Sequence, residues 1–431
     1  MLTFFSSFFF LKIKKPEVIL FSLIFIMIQL LFNYPGFTNI YMNSFFFFDK
    51  INYMMLFVFL ILKVILYVIY MNKFTNIYNS NMKIMSILSL SIFLFLMIDN
   101  IFFLFFFFEM SLIPIFFIVV GWGMQPEKIK SGKFLAMYTV LVSFPLLLSI
   151  LYLTTNYNLS VFMNYYDISK KMEVSNLMFV LLMSGFLVKL PMFLIHSWLT
   201  KAHVEASLEG SILLAGLLMK MGSYGIIRMM IFFKNLNKQE IVTVFFSIFL
   251  VGSILSAIMA ISCDDAKTVV AFASISHMNF VMANFFLFKT YSYEATILIM
   301  FSHSFVSTLL FYNVTNLYMM SGTRSSMINK SLKSLFPLFS MICFISWILN
   351  ASIPPSLSFS GEVLSIMTLF SSNSFLVVVL VFFFFIFSSF YSMVNFGIQN
   401  HNSSSKMYMK SKNIDMNMFF VSFLNIIPVS I

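Results

Sequence analysis

Apolar stretches of about twenty residues recur along the whole of this 431-residue chain, separated only by short polar breaks. Roughly that many residues are needed for a helix to cross a hydrocarbon core about 30 Å thick. Hydrophobic residues make up 61% of the sequence, and charged ones only 10%. A soluble chain usually carries about 25% charged residues, because its surface must be wetted. Nothing resembling a separate soluble domain interrupts the pattern. The expected class is an all-α, polytopic membrane protein.

Reading apolar runs between polar breaks predicts spans near 2–12, 17–33, 52–72, 84–98, 101–120, 134–154, 175–200, 207–230, 241–262, 269–289, 293–320, 335–371, 374–398 and 414–430. The run from Leu335 to Phe370 is too long for one straight helix crossing the membrane at 1.5 Å per residue. Its centre holds Pro354 and Pro355, which remove two donors and clash with the preceding turn. Unwound backbone at membrane depth is tolerated only where protein or water satisfies it, so residues 350–362 are a candidate transport site. A second irregularity follows Lys189, at Leu190-Pro191 and on to Trp198. Paired broken helices in two halves point to an inverted-repeat transporter, although no sequence repeat is evident.

The net charge of +11 raises nucleic acid as a partner, but the basic residues sit in short loops rather than in one patch. That distribution reads as topology, with no nucleic acid expected. Loops after odd-numbered spans hold more than twice the Lys and Arg of the others. The rule that positive loops face the cytoplasm or matrix then puts the amino terminus on the opposite face. Cys263 and Cys343 are too few and too far apart for a disulfide framework or a metal motif. The first residues run apolar and then basic, the reverse of a cleavable secretory signal. The 61 Phe and 35 Met, against 13 Gly and 10 Pro, fit AT-rich codons with ATA read as Met. Mitochondrial encoding is the expectation.

Ionisable residues within the spans demand an explanation, since each costs roughly 2.5–3.5 kcal/mol at a helix centre. Glu109 follows IFFLFFFF, Lys189 sits in VLLMSGFLVKLPMFLI, Lys220 in LLAGLLMKMGSYGII, and Glu362 follows the proline break. Desolvation and an opposing charge push such groups in contrary directions, so a buried Lys–Glu pair keeps two protonation states close in energy. Static interhelical ion pairs are the plain alternative. Two Lys and two Glu on separate helices favour proton or cation translocation. His277 and His303 fall on adjacent spans with Ser neighbours, which suits a proton shuttle as well as simple packing. His203 is expected at the interface, and His196 within reach of the relay. Lys63 is expected to snorkel or to face a neighbouring subunit, and Asp99 to lie in a tight turn with Asn100. There is no dinucleotide fingerprint, P-loop, Cys cluster or haem-type His pairing.

The stretch Phe108-Glu-Met-Ser-Leu-Ile-Pro-Ile, then Gly121-Trp-Gly-Met-Gln-Pro-Glu, resembles the corresponding segment of the subunit 4 family of mitochondrial NADH–ubiquinone oxidoreductase, one of the antiporter-like subunits of complex I. So do Phe186 to Ala206, Leu218 to Arg228, Ser274-Ile-Ser-His-Met, and Pro354-Pro355 with Gly361-Glu362, in the family's order and over about residues 100–365. The resemblance implies about fourteen transmembrane helices with two inverted five-helix repeats, each containing a broken helix. It implies that Glu109 tunes Lys189, that Lys220 passes the proton on with His277 and His303, and that Glu362 carries it toward the exit. It also implies NADH, FMN, iron–sulfur clusters and ubiquinone in other subunits, none of them here. Neighbouring antiporter-like subunits and lipids are the implied partners, in the mitochondrial inner membrane with the amino terminus toward the intermembrane space. Thr200 and Ser207 stand where the family usually has prolines, Glu209 where it has a small apolar residue, and Ser223 where Gly is usual.

The expected organisation is 1–98 as amino-terminal helices, 99–230 as a first repeat broken near 189–200, 231–398 as a second repeat broken near 350–362, and 399–431 as a loop and last helix. The favoured function is proton translocation driven by quinone reduction elsewhere in a complex. A stand-alone cation/proton antiporter and a structural scaffold remain alternatives.

Overall fold

The computed structural model describes residues 40–43, 46–71, 76–123, 125–157, 175–230, 239–371, 375–401 and 416–430. The spans expected near 2–12 and 17–33, and with them the side on which the chain begins, lie outside the described residues. Apart from one short antiparallel hairpin, β1 (Ile40–Asn43) with β2 (Phe46–Phe48), the described chain is helical. Among the described residues, eight helical stretches are long and apolar enough to cross a membrane. This is a polytopic helical membrane protein, as the composition required.

The chain forms two compact units. The first holds the described residues within Met1–Leu190, Glu205–Leu213 and Leu217–Asn237; the second holds those within Pro191–Val204, Leu214–Gly216 and Lys238–Ile431.

In the first unit, α1 (Lys50–Met71) and α2 (Asn76–Met97) lead into α3 (Ile101–Met110) and α4 (Leu112–Trp122). Asp99 and Asn100 lie in the short link between α2 and α3, which is extended at Asn100 rather than the tight turn expected, and the Asn100 side chain caps α3 by accepting from Phe102 N at 2.9 Å. The predicted span at 101–120 is two helices rather than one, with Ser111 at the joint. The cause is Pro114, whose missing N–H breaks the helical ladder one turn earlier. Then come α5 (Lys128–Tyr157) and α6 (Asn176–Lys189), the latter capped by Ser175. After the break described below comes α7 (Ser197–Glu205), which belongs to the second unit up to Val204. Helix α8 (Leu208–Leu213) returns to the first unit, a π-helical turn at Leu214–Leu218 has its first three residues in the second, and α9 (Met219–Met229) lies in the first.

Helix α6 packs between α5 and α9. At Gly222 the approach of α9 is so close that a Cβ would lie 2.8 Å from Leu190 N and 2.9 Å from Phe186 O. Only a residue without a side chain fits there. The end of α9 is tied to α1 by a charged network. Arg228 donates to Asp49 Oδ2 at 2.7 Å, to Tyr224 OH at 2.9 Å and to Asn52 Oδ1, and Tyr224 OH donates to the same Asn52 oxygen at 2.7 Å.

In the second unit, α10 (Gln239–Ser262), α11 (Ala266–Phe285) and α12 (Thr290–Ser321) pack in succession. The last ends at Gly322, whose φ of +73° gives the left-handed cap that glycine adopts without strain. A short α13 (Leu332–Leu335) precedes α14 (Pro337–Asn350), α15 (Leu357–Phe370), α16 (Phe375–Asn400) and α17 (Met416–Ile426). Pro337 opens α14, where its missing N–H costs nothing. Cys343 is a free thiol buried among Leu317, Leu332 and Phe339, and acts as a small hydrophobe. Helices α5 and α16 turn large apolar residues such as Leu141, Phe144, Phe375 and Phe382 outward, whereas α11 and α12 are enclosed almost throughout. Hydrocarbon explains the first pair, since water would not tolerate so much exposed apolar surface.

Breaking one partner of a buried ion pair costs about 3–5 kcal/mol. Asp49 retains a fifth of its exposure, which places Arg228→Met at the low end. The expected outcome is a loss of about 3 kcal/mol, seen as a lower melting temperature in mild detergent, with Asp49→Asn producing a similar shift.

Candidate functional site

Helix α6 runs apolar until Lys189, and the residue after it cannot continue the ladder because Pro191 disfavours helix at the position before itself. Leu190 is extended, at φ −86° and ψ 98°, and a 3-10 turn at Phe193–Ile195 follows before α7. Lys189 therefore stands at the last turn of an interrupted helix, with 3% of its surface exposed.

Its partners come from the joint between α3 and α4. The Lys189 ammonium donates to the Phe108 carbonyl, and to Ser111 Oγ at 3.2 Å. It also lies 3.3 Å from the centroid of the Phe108 ring. Phe108 O, next to the joint, accepts from both the lysine and the Ser111 hydroxyl. Glu109 is the next residue and acts on Lys189 through charge; the Ser143 hydroxyl is in hydrogen-bonding reach. Glu109 Oε1 is buried with no hydrogen-bond partner. An unsatisfied buried carboxylate oxygen is costly, and it is ready to accept a proton.

Lys220 is completely enclosed. It lies on the first turn of α9, immediately after the π-helical turn at Leu214–Leu218. A π turn widens the ladder and re-aims the residues after it, a device common at functional sites. The Gly222 contact presses this same turn of α9 against the broken end of α6.

The second unit gathers the remaining candidates. Helix α14 stops at Asn350, the chain passes through Pro354 and Pro355, and Ser356 caps α15 by accepting from Phe359 N at 3.3 Å. Glu362 sits in the second turn of α15 and is buried. Gly361 beside it lets α15 approach α12, since a Cβ there would fall 2.6 Å from Ile299 Cγ1. Ser352, held at φ +55°, donates its hydroxyl to Glu362 Oε1 at 2.5 Å. The same carboxylate oxygen is 3.9 Å from His277 Nδ1. His277 Nε2 is 3.1 Å from Tyr391 OH, and Asn350 Nδ2 donates to that hydroxyl at 3.0 Å. The His303 ring lies 5.6 Å from that of His277. An imidazole with a carboxyl on one nitrogen and a phenol on the other can take a proton on one side and release it on the other.

Sequence reasoning singled out Glu362, His277 and His303, included Asn350 and Ser352 only as part of the break, and missed Tyr391. Tyr391 was hidden in an apolar stretch of α16, where a phenol reads as packing. Other expectations need correction. His203 is not interfacial: none of its surface is exposed, and its ring stacks on Phe311 at 4.6 Å and 9°. The polar composition around it suggested a loop, but α7 carries it inward. Lys63 is enclosed by the chain's own helices and lies 5.6 Å from the Phe59 ring, rather than snorkelling outward. His196 bonds through Nδ1 to Phe193 O and stacks on Phe193, so its ring closes its own 3-10 turn. Glu209 is buried on α8.

Fold and site together define a helical membrane protein in which proline-interrupted helices carry buried ionisable groups. Residues 98–388 match the model of the family described as NADH:quinone oxidoreductase/Mrp antiporter, TM. The chain is 34% identical to NADH-ubiquinone oxidoreductase chain 4 of Ceratitis capitata, over 84% of this chain and 80% of that one. It is 35% identical to the chain 4 of Rhipicephalus sanguineus, over 90% and 87% respectively. A chain of respiratory complex I from Thermus thermophilus shares the fold, with a TM-score of 0.80 at 16% identity, covering 98% of this chain and 92% of that one. A chain of the Mrp complex from Dietzia does so with a TM-score of 0.77 at 16% identity, covering 96% and 77%. The chain belongs to the NADH:quinone oxidoreductase/Mrp antiporter family, in its chain 4 branch, which bears out the motif resemblance.

Tyr391→Phe removes the hydroxyl between His277 and Asn350 while keeping the ring. The expected outcome is proton translocation slowed about tenfold, the equivalent of 1.4 kcal/mol on a barrier, with assembly unchanged. Vesicle acidification by the purified complex checks it.

Proposed function

We propose that this chain is a proton-translocating membrane-arm subunit of a respiratory NADH:ubiquinone oxidoreductase in the mitochondrial inner membrane. The observation that carries the reading is the pairing of each helix break with a buried titratable group: Lys189 at the first, Glu362 at the second. Neither group has any packing purpose that an apolar residue would not serve better, since a buried charge is weak evidence for stability. Family membership supports the reading from the other side.

In this mechanism Glu109 and Lys189 act as a coupled pair. A proton on Glu109 removes the negative charge that favours the Lys189 ammonium and so makes Lys189 easier to deprotonate. The Phe108 carbonyl and Ser111 hydroxyl hold the ammonium until that happens. Lys220 takes the proton onward. In the second unit His277 exchanges protons with Glu362 across 3.9 Å, a gap that a small side-chain movement or one bridging water closes. His303 is the alternate partner of His277, and Tyr391 with Asn350 fixes the ring's orientation. His196 stands beside this path as a further candidate member. The redox groups that supply the energy, NADH, FMN, iron–sulfur clusters and ubiquinone, belong to other subunits. The two breaks belong to two inverted five-helix repeats of a fourteen-helix bundle, organised as 1–98, 99–230, 231–398 and 399–431. The amino terminus faces the intermembrane space.

A stand-alone cation/proton antiporter uses the same physics, and the family description and the fold shared with the Mrp complex keep it in view. Native mass in mild detergent separates the two. Migration in a large NADH-oxidising assembly is expected; migration as a single chain with cation/proton exchange in vesicles would establish the second reading. Within the assembly, Lys189→Met and Glu109→Gln are each expected to cut proton translocation by about a hundredfold, the lower end of the contribution of a positioned acid–base group. Normal pumping with both substitutions would instead leave these residues a structural role.

A further inference from the structure

As an ammonium, Lys189 has three N–H donors to place. Two meet oxygens, the Phe108 carbonyl and Ser111 Oγ. Among the described residues, the remaining side of the nitrogen meets the Phe108 ring, 3.3 Å from its centroid. One residue in the last turn of α3 therefore touches the ammonium twice, through its carbonyl and through its ring. Glu109 acts on Lys189 through charge, and its Oε1 accepts no hydrogen bond.

The Phe108 ring is held by other rings. Phe186, about one turn before Lys189 on α6, packs on it at 4.8 Å and 60°, and Phe95 of α2 at 5.9 Å and 34°. Behind Phe95 stands Tyr224 of α9, edge-on at 5.4 Å and 65°. The Tyr224 hydroxyl donates to Asn52 and accepts from Arg228, so the stack ends on the charged network that ties α9 to α1. All four rings are buried. Filling this space would need only an apolar side chain, but an aromatic face also carries negative potential. That face attracts an ammonium, and it offers nothing comparable to a neutral amine. The attraction is greatest for a cation removed from water, as Lys189 is.

We propose that Phe108 is a positioning residue for the proton on Lys189, its ring face selecting the ammonium over the amine. The proposal rests on Lys189 belonging to the relay. The ring supplies a constant attraction and Glu109 a switchable one, so Lys189 stays loaded until Glu109 takes a proton. Other titratable groups on the helices around Lys189 lie on α9 and α5. Helix α9 carries Lys220, Tyr224 and Arg228, the last held by Asp49. Helix α5 has Lys128, Lys130 and Lys133 near its start and Tyr138, Tyr152 and Tyr157 further along.

The test uses vesicles containing the assembled complex, with content measured by native mass and proton translocation per NADH oxidised followed against pH. Phe108→Leu keeps an apolar side chain and the backbone carbonyl but removes the ring face. It is expected to slow translocation about tenfold at neutral pH. The alkaline limb of the profile is expected to move about one unit toward lower pH, because an ammonium without the ring gives up its proton more readily. A slowed rate with the limb unmoved would show a ring that only fills space and would overturn the proposal. Should Phe108→Leu fail to assemble, Phe108→Met, with its unbranched and adaptable side chain, is read in the same way. In a Lys189→Met background Phe108→Leu is expected to add no further loss; an added loss would show a role apart from Lys189 and overturn the proposal. Normal translocation in Phe108→Leu with loss in Lys189→Met discards the part given to the ring and keeps the relay, whereas normal translocation in both discards the relay itself.

Discussion

Hydrocarbon gives a backbone amide or a charged side chain nothing to bond to, and this chain is arranged around the few places where that constraint is broken. Near two of the interruptions an ionisable group is on hand. At the joint of α3 and α4 the Phe108 carbonyl is met by Lys189, itself at the broken end of α6. Beyond the Asn350 break, Ser352 turns its hydroxyl to Glu362. Breaks and charges solve each other's desolvation, which neither would survive alone at membrane depth.

The serines make the same point by contrast. Most of them, Ser274, Ser302 and Ser304 among them, donate to a carbonyl of the preceding turn and are spent within their own helices. Ser352, with a left-handed backbone past the end of α14, directs its hydroxyl away from the preceding turn. Its hydroxyl is therefore available to the carboxylate. A residue type that is inert along the helices becomes chemically active where the helix stops.

Rigid contacts hold these irregular points in place. Gly222 brings α9 onto the break after Lys189, and Gly361 brings α15 onto α12 beside Glu362. A methyl group at either position would meet backbone or a buried side chain at under 3 Å, so the close approach is unavailable to any other residue. Together with the Arg228 network at the far end of α9, they limit how far the helices can shift when a proton moves. A relay needs small displacements of side chains, and a fixed scaffold confines the change to them.

Much of this was readable from residues alone, because the physics of one helix in hydrocarbon is local. The spacing of apolar runs placed the spans from 52–72 onward close to the helices observed, prolines marked the breaks, and a charge in an apolar run announced itself at Glu109, Lys189, Lys220 and Glu362. Packing decided the rest. Which of the two faces of α7 turns inward, and so buries His203 against Phe311, depends on a partner distant in sequence. That Tyr391 on α16 meets His277 on α11 was equally invisible, since a tyrosine in an apolar run has no local signature of function. Sequence thus determined where the chain cannot remain an ordinary helix and which groups cannot be buried without cause. Only tertiary structure decided which of those groups meet, because contact between helices is set by side-chain shape across distances that no local pattern encodes.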